Sequence, residues 1–184
     1  MRADAQRNVD ALLVAALSVF TTSGAGAPVR EIALKAGVGV GTLYRHFPHR
    51  SDLIVAVFQR EVDACAEAAP VLAAEHAPGE ALASWMQRYT GFIATKRGLA
   101  AALHSGDPAF DGLPAYFQER LEPALRLLLE AAGTAGEVRT DISADELLGA
   151  VASLCMHAYK QSPEHARRMV ALLVDGLRYG ASAP

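Results

Sequence analysis

Apolar residues recur at spacings of three and four along most of this 184-residue chain, and no stretch alternates apolar with polar residues as a half-buried β-strand does. Proline or glycine separates one apolar stripe from the next. The pattern predicts an all-α protein with about nine helices. It places a first helix at residues 8–23 and another from near Ser51 to about Ala69, before Pro70. It treats 79–95 and 97–104 as separate helices, and it expects Pro123 to kink or divide a helix that begins at Leu113.

Two short apolar stripes joined by a glycine lie between Pro28 and Phe47. Gly37 follows the first stripe, where a helix commonly ends in the left-handed conformation that glycine adopts without strain. The second stripe places Leu43 and Phe47 four residues apart on one face. Two helices joined by such a turn are typical of a helix-turn-helix. The residues of the first stripe are Val29, Ile32, Ala33 and Ala36.

The outer face of the second short helix is polar and partly basic, which suits the major groove of DNA. The phenol of Tyr44 and the guanidinium of Arg50 lie near this face and can reach phosphates. The residues that point away from its apolar face or flank it are Gly41, Thr42, Tyr44, Arg45 and His46, with Arg50 just beyond the helix, whereas Val40 fits either the core or the groove.

This stretch resembles the hallmark sequence of the TetR (tetracycline-repressor) family of bacterial transcriptional regulators. The resemblance implies that five residues contact DNA, and it places three more at neighbouring positions that face the groove. Gly39 departs from the Ser or Thr that the family commonly has as the cap of its recognition helix, which costs the helix roughly a few tenths of a kcal/mol. The matching residues are Ile32-Ala33, Ala36-Gly37-Val38, Gly41 to Phe47, Arg50 and Leu53. The implied contacts are Arg30, Thr42, Tyr44, His46 and Arg50, with Val40, Gly41 and Arg45 as their neighbours.

The resemblance also implies two domains. A three-helix DNA-binding domain would occupy residues 1–50, with its motif at about 28–47, and an effector-binding and dimerisation domain would occupy residues 51–184. The charge distribution agrees with this division, because residues 1–50 carry six Lys or Arg against three Asp or Glu, whereas the remainder carries eleven against seventeen. A basic segment attached to an acidic body is typical of a DNA reader, although the formal net charge is −3.

Residues 79–95 form the densest aromatic stretch of the chain and are the candidate wall of an apolar ligand pocket. Aromatic residues at helical spacing also fill ordinary protein cores, and the sequence leaves both interpretations open. The candidate pocket residues are Trp85, Met86, Tyr89, Phe92, Phe110, Tyr116, Phe117, Met156 and His157.

The last two helices are predicted to pack against a second copy of themselves. Ser143 and Glu146 form a capping box before the first of these helices, and Ser162-Pro163 begins the second. The final helix is apolar over more than half of its circumference, which is too much for a helix exposed on one side. The resemblance implies that the two helices form a four-helix dimer interface. The candidate interface residues are Leu147, Val151, Leu154, Met169, Leu172, Leu173 and Leu177.

Other chemistry finds little support in the sequence. Cys65 and Cys155 lack the spacing of a zinc site or a disulfide framework, which fits a reducing cytoplasm. The sequence contains no phosphate-binding loop and no paired-carboxylate or metal-ligand motif, so we expect no catalytic residues, cofactor or metal. The apolar N-terminal run keeps helical spacing and includes Asp4 and Asp10, so we interpret it as a helix and not as a secretory signal. No apolar run has a length that predicts a membrane span.

We therefore expect a cytoplasmic homodimer that binds a palindromic operator in double-stranded DNA, and that a small apolar or amphipathic effector releases. The resemblance implies that the regulator is a repressor. The alternative is a DNA-binding dimer without a small-molecule effector, regulated by a protein partner. An enzyme built on the helical body finds no catalytic constellation in the sequence.

Overall fold

A computed structural model describes residues 2–158 and 162–179 of the chain, and the side chains of residues 5–156 and 162–179. Within these residues the protein consists of eight α-helices and one short 3₁₀ helix, and it contains no β-strand. The all-α prediction is confirmed. The helices are α1 (Arg2–Ser23), α2 (Val29–Ala36), α3 (Val40–His46), α4 (Arg50–Glu75), α5 (Pro78–Leu103), α6 (Leu113–Thr134), α7 (Ala144–Ala158) and α8 (Pro163–Tyr179), with the 3₁₀ helix at Pro108–Phe110.

Two helices are longer than the apolar pattern predicted. α5 is a single helix of 26 residues, so the predicted break between residues 95 and 97 is wrong. No proline interrupts this segment, and a glycine inside a helix, here Gly98, costs only about 1 kcal/mol relative to alanine. α1 begins at Arg2, before the predicted start at residue 8.

Two other helices continue through a proline. Pro70 lies inside α4, so the predicted end of that helix near Ala69 is wrong, and Pro123 lies inside α6 without dividing it. A proline donates no hydrogen bond to the carbonyl four residues earlier. Both prolines are exposed, so neither ring has to be accommodated in the core.

The first compact unit comprises Met1–Glu61 and Thr95–Pro114. α1 and α2 pack against each other in this unit. It extends beyond the predicted DNA-binding segment 1–50, and the functional boundary at residue 50 stays a prediction. The fully buried side chains of its core include Leu12, Phe20, Ile32, Leu43, Leu53 and Leu99.

The second compact unit comprises Val62–Ala94 and Ala115–Pro184. Its core combines aromatic side chains of α5 with aliphatic side chains of α6, α7 and α8. Here α7 packs against α8. The buried side chains include Trp85, Tyr89, Leu121, Leu125, Leu147, Val151, Val170 and Val174.

The predicted capping box forms at the start of α7. The Ser143 N–H and hydroxyl donate to Glu146 Oε2 at 2.9 and 2.7 Å, and the Glu146 N–H donates to Ser143 Oγ at 3.2 Å. These bonds, led by the one from the Ser143 N–H, lower the pKa of Glu146 because they favour its charged form. At the start of α8 the His165 N–H donates to Ser162 Oγ at 3.0 Å, so the sequence located both helix starts.

The charge of Glu146 should make the stability of the protein depend on pH. Because the pKa of Glu146 is lower in the folded state, its charge stabilises the fold above the unfolded-state pKa of about 4.3. That stabilisation is lost as the pH falls through the folded-state pKa. We expect Glu146→Gln, which keeps an acceptor for the Ser143 N–H, to melt below wild type at neutral pH. The difference should close as the pH falls below about 4.

Calorimetric melting of both proteins across this pH range measures the difference. Glu130→Gln is the matched control, because it removes the same charge from an exposed side chain of α6. A gap between wild type and Glu146→Gln that stays constant with pH would contradict the assigned role of the Glu146 charge.

Candidate nucleic-acid interface

The turn between α2 and α3 has the geometry that a helix-turn-helix requires. Gly37 has φ 70° and ψ 27°, in the left-handed region that favours glycine. Its N–H donates to Leu34 O at 3.1 Å, and the Val38 N–H donates to Ala33 O at 3.0 Å, so two carbonyls at the end of α2 are satisfied. Ile32 on α2 and Leu43 on α3 are buried on the inner side of the motif.

α3 begins without a side-chain cap, as the sequence predicted. Gly39 is extended, with φ −70° and ψ 147°, and its carbonyl accepts from the Thr42 and Leu43 N–H groups at 2.9 and 3.3 Å. The helix ends where the Phe47 N–H donates to Leu43 O at 2.8 Å. These backbone bonds define a helix of about two turns, short enough to lie within one major groove.

The predicted DNA-contact residues are unequally exposed. Tyr44 is 49% exposed and lies outside the core, which leaves its hydroxyl free to reach a phosphate. The His46 ring lies against Phe47, with 6.5 Å between ring centroids, so part of this side chain is held by the protein itself. Among the predicted contacts, Arg30, Gly41, Tyr44 and Arg45 are exposed, whereas Val40, Thr42, His46 and Arg50 are half-buried.

Arg50 has a role in the fold that the sequence did not reveal. Its Nη1 donates to the carbonyl of Ala25, in the loop between α1 and α2, at 2.5 Å. The guanidinium has other N–H groups that can meet a phosphate, so the predicted DNA contact stays a prediction. A sequence pattern cannot locate this bond, because the two residues are far apart in the chain and the acceptor is a backbone atom.

The best-formed part of the candidate ligand pocket is an aromatic stack in the second unit. Trp85 and Tyr89 stack with their centroids 5.6 Å apart, Tyr89 and Phe92 with 6.1 Å, and Phe92 and Phe117 with 5.8 Å. Trp85 Nε1 donates to Cys65 O at 2.8 Å, and the Tyr89 hydroxyl donates to Leu148 O at 3.3 Å. Burial raises the pKa of Tyr89, so its hydroxyl stays protonated. Both polar tips are therefore bonded to backbone carbonyls.

The remaining pocket candidates lie in varied surroundings. Met86 is buried, Tyr116 and Phe117 are half-buried, and Met156 is 55% exposed. Phe110 is buried in the first compact unit, whereas the aromatic stack belongs to the second. The side chain of His157 lies outside the described residues. The pocket as a whole stays a prediction.

A polar cluster between α4 and α6 escaped the sequence analysis. The Tyr116 hydroxyl lies 2.7 Å from both carboxylate oxygens of Asp63, and Arg120 Nε donates to Asp63 Oδ1 at 2.8 Å. Burial, followed by the bond to Asp63, raises the pKa of Tyr116. Glu67 adds a weaker ion pair with Arg120, at 3.8 Å. The sequence carried one signal of this cluster. Asp63 and Glu67 are four residues apart on α4, and Tyr116 and Arg120 are four residues apart on α6, so each pair lies on one face of its helix.

The predicted dimer-interface residues divide into two groups. Leu147, Val151 and Leu177 are buried within the protomer, where α7 packs against α8. Leu172 is 64% exposed, and Leu154, Met169 and Leu173 are half-buried. This second group lines an open groove of about 690 Å³ beside the two helices. The groove is mostly apolar, although Arg139, Asp141 and Glu146 also line it, and a surface of this kind fits association with another chain.

Over the residues with described positions, none of the helices combines the length and the apolar character that crossing a membrane requires. Groups of three or more His, Cys, Asp or Glu side chains placed to hold a metal ion are likewise absent from this part of the chain.

Comparisons with known proteins agree with the helix-turn-helix geometry. The family described as "Bacterial regulatory proteins, tetR family" matches residues 12–57, and the one described as "Transcriptional regulator SbtR-like, C-terminal domain" matches residues 77–179. An HTH-type transcriptional regulator of Staphylococcus aureus is 41% identical over 64 residues. That match covers 34% of this chain and 35% of the relative, so the chain matches about a third of the length of this curated protein.

Solved structures match most of the chain. A TetR transcriptional regulator of Streptomyces coelicolor is 36% identical, with a TM-score of 0.79 and coverage of 92% of this chain and 98% of that one. A TetR transcription regulatory protein of Mycobacterium vanbaalenii is also 36% identical, with a TM-score of 0.72 and coverage of 96% and 98%. Fold and motif together define a helix-turn-helix transcriptional regulator. The chain belongs to the TetR family of bacterial regulatory proteins.

The bond from Arg50 to Ala25 should contribute measurably to stability. We expect Arg50→Gln to lower the free energy of unfolding by about 1 kcal/mol, because the Ala25 carbonyl loses a charged donor that is partly exposed. This corresponds to a fall of roughly 2–4 °C in melting temperature for a chain of this size. Thermal unfolding of the DNA-free protein measures it.

Arg45→Gln is the matched control, because it removes the same charge from an exposed position on α3. Its melting temperature should stay within about 1 °C of wild type, as expected for a surface substitution. If Arg50→Gln and Arg45→Gln had the same melting temperature, the bond from Arg50 to Ala25 would not contribute to the stability of the fold.

Proposed function

We propose that the chain is a homodimeric repressor that acts in the bacterial cytoplasm and leaves a palindromic operator when a small apolar or amphipathic effector binds. The observation that carries the proposal is the α2–turn–α3 motif, with its left-handed Gly37 and its exposed Arg30 and Tyr44, in a member of the TetR family. One such motif covers only one half-site. Two copies related by two-fold symmetry would read a palindrome.

The groove beside α7 and α8 supports the dimer. Leu172 projects with 64% exposure beside the half-buried Leu173 and Met169. Leaving several large apolar side chains in water is unfavourable, and burying each is worth about 1.5–3 kcal/mol. A second copy would bring the same residues to the same surface, as a two-fold interface requires.

The aromatic stack supports an apolar effector. Trp85 and Tyr89 already direct their polar groups to backbone carbonyls, so they offer a ligand ring faces rather than free hydrogen bonds. An effector that inserts beside this stack would be recognised by shape and apolar contact. It would release DNA if it bound more tightly to an arrangement of the dimer whose two readers no longer match the operator spacing.

A regulator controlled by a protein partner is the second candidate. The full burial of Trp85, Met86 and Tyr89 favours it, because side chains with no exposed surface and satisfied polar atoms are also those of a solid core. In that case operator binding would be independent of small molecules.

Operator binding tests the proposal directly. The purified protein is titrated with DNA from upstream of its own gene at stated salt, with Tyr44→Ala and Arg30→Ala beside it. Each substitution removes one polar or charged contact, so we expect affinity to fall by roughly tenfold or more. A panel of apolar compounds is then added to the wild-type complex, and release of DNA by one of them supports effector control.

Tyr179→Ala is the control for Tyr44→Ala, because it removes a tyrosine that is 93% exposed at the end of α8. The proposed reader is wrong if wild type binds no upstream DNA, or if Tyr44→Ala and Arg30→Ala bind as tightly as Tyr179→Ala. Tight binding that no compound weakens would favour the protein-partner alternative.

The proposed interface predicts that one substitution in the groove, Leu172→Asp, changes the oligomeric state. Leu172→Asp places a charge on the groove, so the dimer should dissociate because association would have to remove the added carboxylate from water. Leu127→Asp makes the same change at an exposed leucine of α6 and should remain a dimer. Sedimentation velocity at several concentrations separates the two states. A monomeric wild type, or a Leu172→Asp dimer as stable as that of Leu127→Asp, would exclude this interface.

A further inference from the structure

The start of α5 is capped by a side chain from the loop between α6 and α7. The residue before α5 is Ala77, whose side chain has no hydrogen-bond acceptor for a helix start. The Gly79 N–H is one of the backbone donors that a helix start leaves without a partner inside the helix. It donates to Glu137 Oε2 at 2.7 Å, and a carboxylate at this end of a helix is also favoured by the helix dipole. Glu137 therefore supplies the cap that the local sequence of α5 lacks.

The backbone at the end of α6 holds Glu137 in place. Gly136 is left-handed with φ 71°, and its N–H donates to Gly133 O at 3.0 Å. The Glu137 N–H donates to Ala132 O at 2.9 Å. These two bonds form a Schellman motif, which ends a helix with a defined backbone geometry. A Cβ added to Gly79 would overlap Glu137 Oε2, so the glycine leaves room for the carboxylate.

The last turn of α8 is attached at the same place by two further bonds. Arg178 Nη2 donates to Gly79 O at 2.9 Å. The Arg139 N–H donates to Leu177 O at 2.9 Å, and this carbonyl is one of the last four of α8, which have no partner inside the helix. We call Glu137, Gly79 and Arg178 the clasp. All of these residues belong to the second compact unit, and the clasp joins the end of α8 to the start of α5 and to the α6–α7 loop.

The clasp lies beside one end of the apolar groove. Gly176, Leu177 and Arg139 line the groove there, together with Leu172 and Leu173 farther back along α8. The terminal turn of a helix frays readily when few contacts hold it. The clasp and the bond to Leu177 O provide such contacts. A surface that is ordered before association loses less conformational entropy when it binds, so the clasp prepares this wall of the groove for a partner.

We propose that Glu137 and Arg178 are positioning residues for self-association, and that they hold the last turn of α8 in the arrangement that a second copy of the chain recognises. The inference rests on the proposed function, because it requires that the homodimer forms through this groove. Neither side chain lines the groove itself. Both act through the backbone, since their acceptor or donor is a main-chain group of Gly79.

Arg178→Met tests the clasp in the full-length protein. The methionine donates no hydrogen bond to Gly79 O, so we expect the dissociation constant of the dimer to rise about tenfold. Arg167→Met is the matched control, because it makes the same change at an exposed side chain of α8, and its dissociation constant should stay within about twofold of wild type. Sedimentation velocity over a dilution series measures each constant, and circular dichroism verifies that the variants are folded.

Arg178→Lys distinguishes positioning from a general loss of packing. The lysine ammonium can still donate to Gly79 O, so the dissociation constant should return to within about threefold of wild type.

A second measurement uses the unmodified protein and keeps the proposal testable if Arg178→Met does not fold. If the clasp favours the dimer, then dimer formation must favour the clasp by the same factor. The Gly79 amide donates to Glu137 Oε2 and lies outside the groove, so its hydrogen exchange should be slower above the dissociation constant than below it. The Val38 amide, which donates to Ala33 O at 3.0 Å in the helix-turn-helix, is the reference and should keep its rate.

The outcomes separate the clasp from the proposed function. A wild type that is monomeric at every concentration overturns the proposed dimer, and the positioning role falls with it. A dimeric wild type with equal dissociation constants for Arg178→Met and Arg167→Met overturns the positioning role alone. An Arg178→Lys dimer as weak as that of Arg178→Met does the same. For an unfolded Arg178→Met, a Gly79 exchange rate that does not change with protein concentration is the result that overturns it.

Discussion

The unbroken backbone hydrogen bonding of α5 is the constraint on which the rest of the structure depends. This helix supplies Trp85 and Tyr89 to the core of the second compact unit and Leu99 to the core of the first. An α-helix fixes the angle and the rise between successive residues, so within each unit the spacing of the side chains that α5 contributes is set by its backbone. The cores that α5 serves differ in chemistry, because its aromatic side chains lie in the second unit and the aliphatic Leu99 lies in the first.

The features that the sequence located are those encoded by neighbouring residues. The turn at Gly37 needs only a glycine after an apolar stripe, because the energetic preference for the left-handed region is a property of the residue itself. The capping box needs only Ser143 and Glu146 three residues apart. The start of α8 at Ser162-Pro163 is similarly local. Local rules were therefore sufficient for the all-α fold and for the geometry of the candidate DNA interface.

The features that the sequence missed depend on residues that meet only in the folded chain. The predicted helix end before Pro70 and the predicted break between residues 95 and 97 were both wrong, because α4 and α5 continue through these positions. The hydrogen bond from Arg50 to Ala25 joins a side chain to a backbone atom far away in the sequence, and neither residue type predicts it. The interface prediction mixed two roles for the same reason. An apolar pattern states that Leu177 and Leu172 both avoid water, but it does not state that the first is covered by its own chain and the second is not.

The burial of Trp85 has a consequence for how this regulator can be observed. The chain contains one tryptophan. Its indole is shielded from water, stacked on Tyr89 and bonded to Cys65 O. The intrinsic fluorescence excited at the red edge of protein absorption therefore arises from a single site in the second compact unit. The helix-turn-helix has no tryptophan and does not fluoresce at that excitation wavelength, so this fluorescence reports only on Trp85 in the aromatic stack.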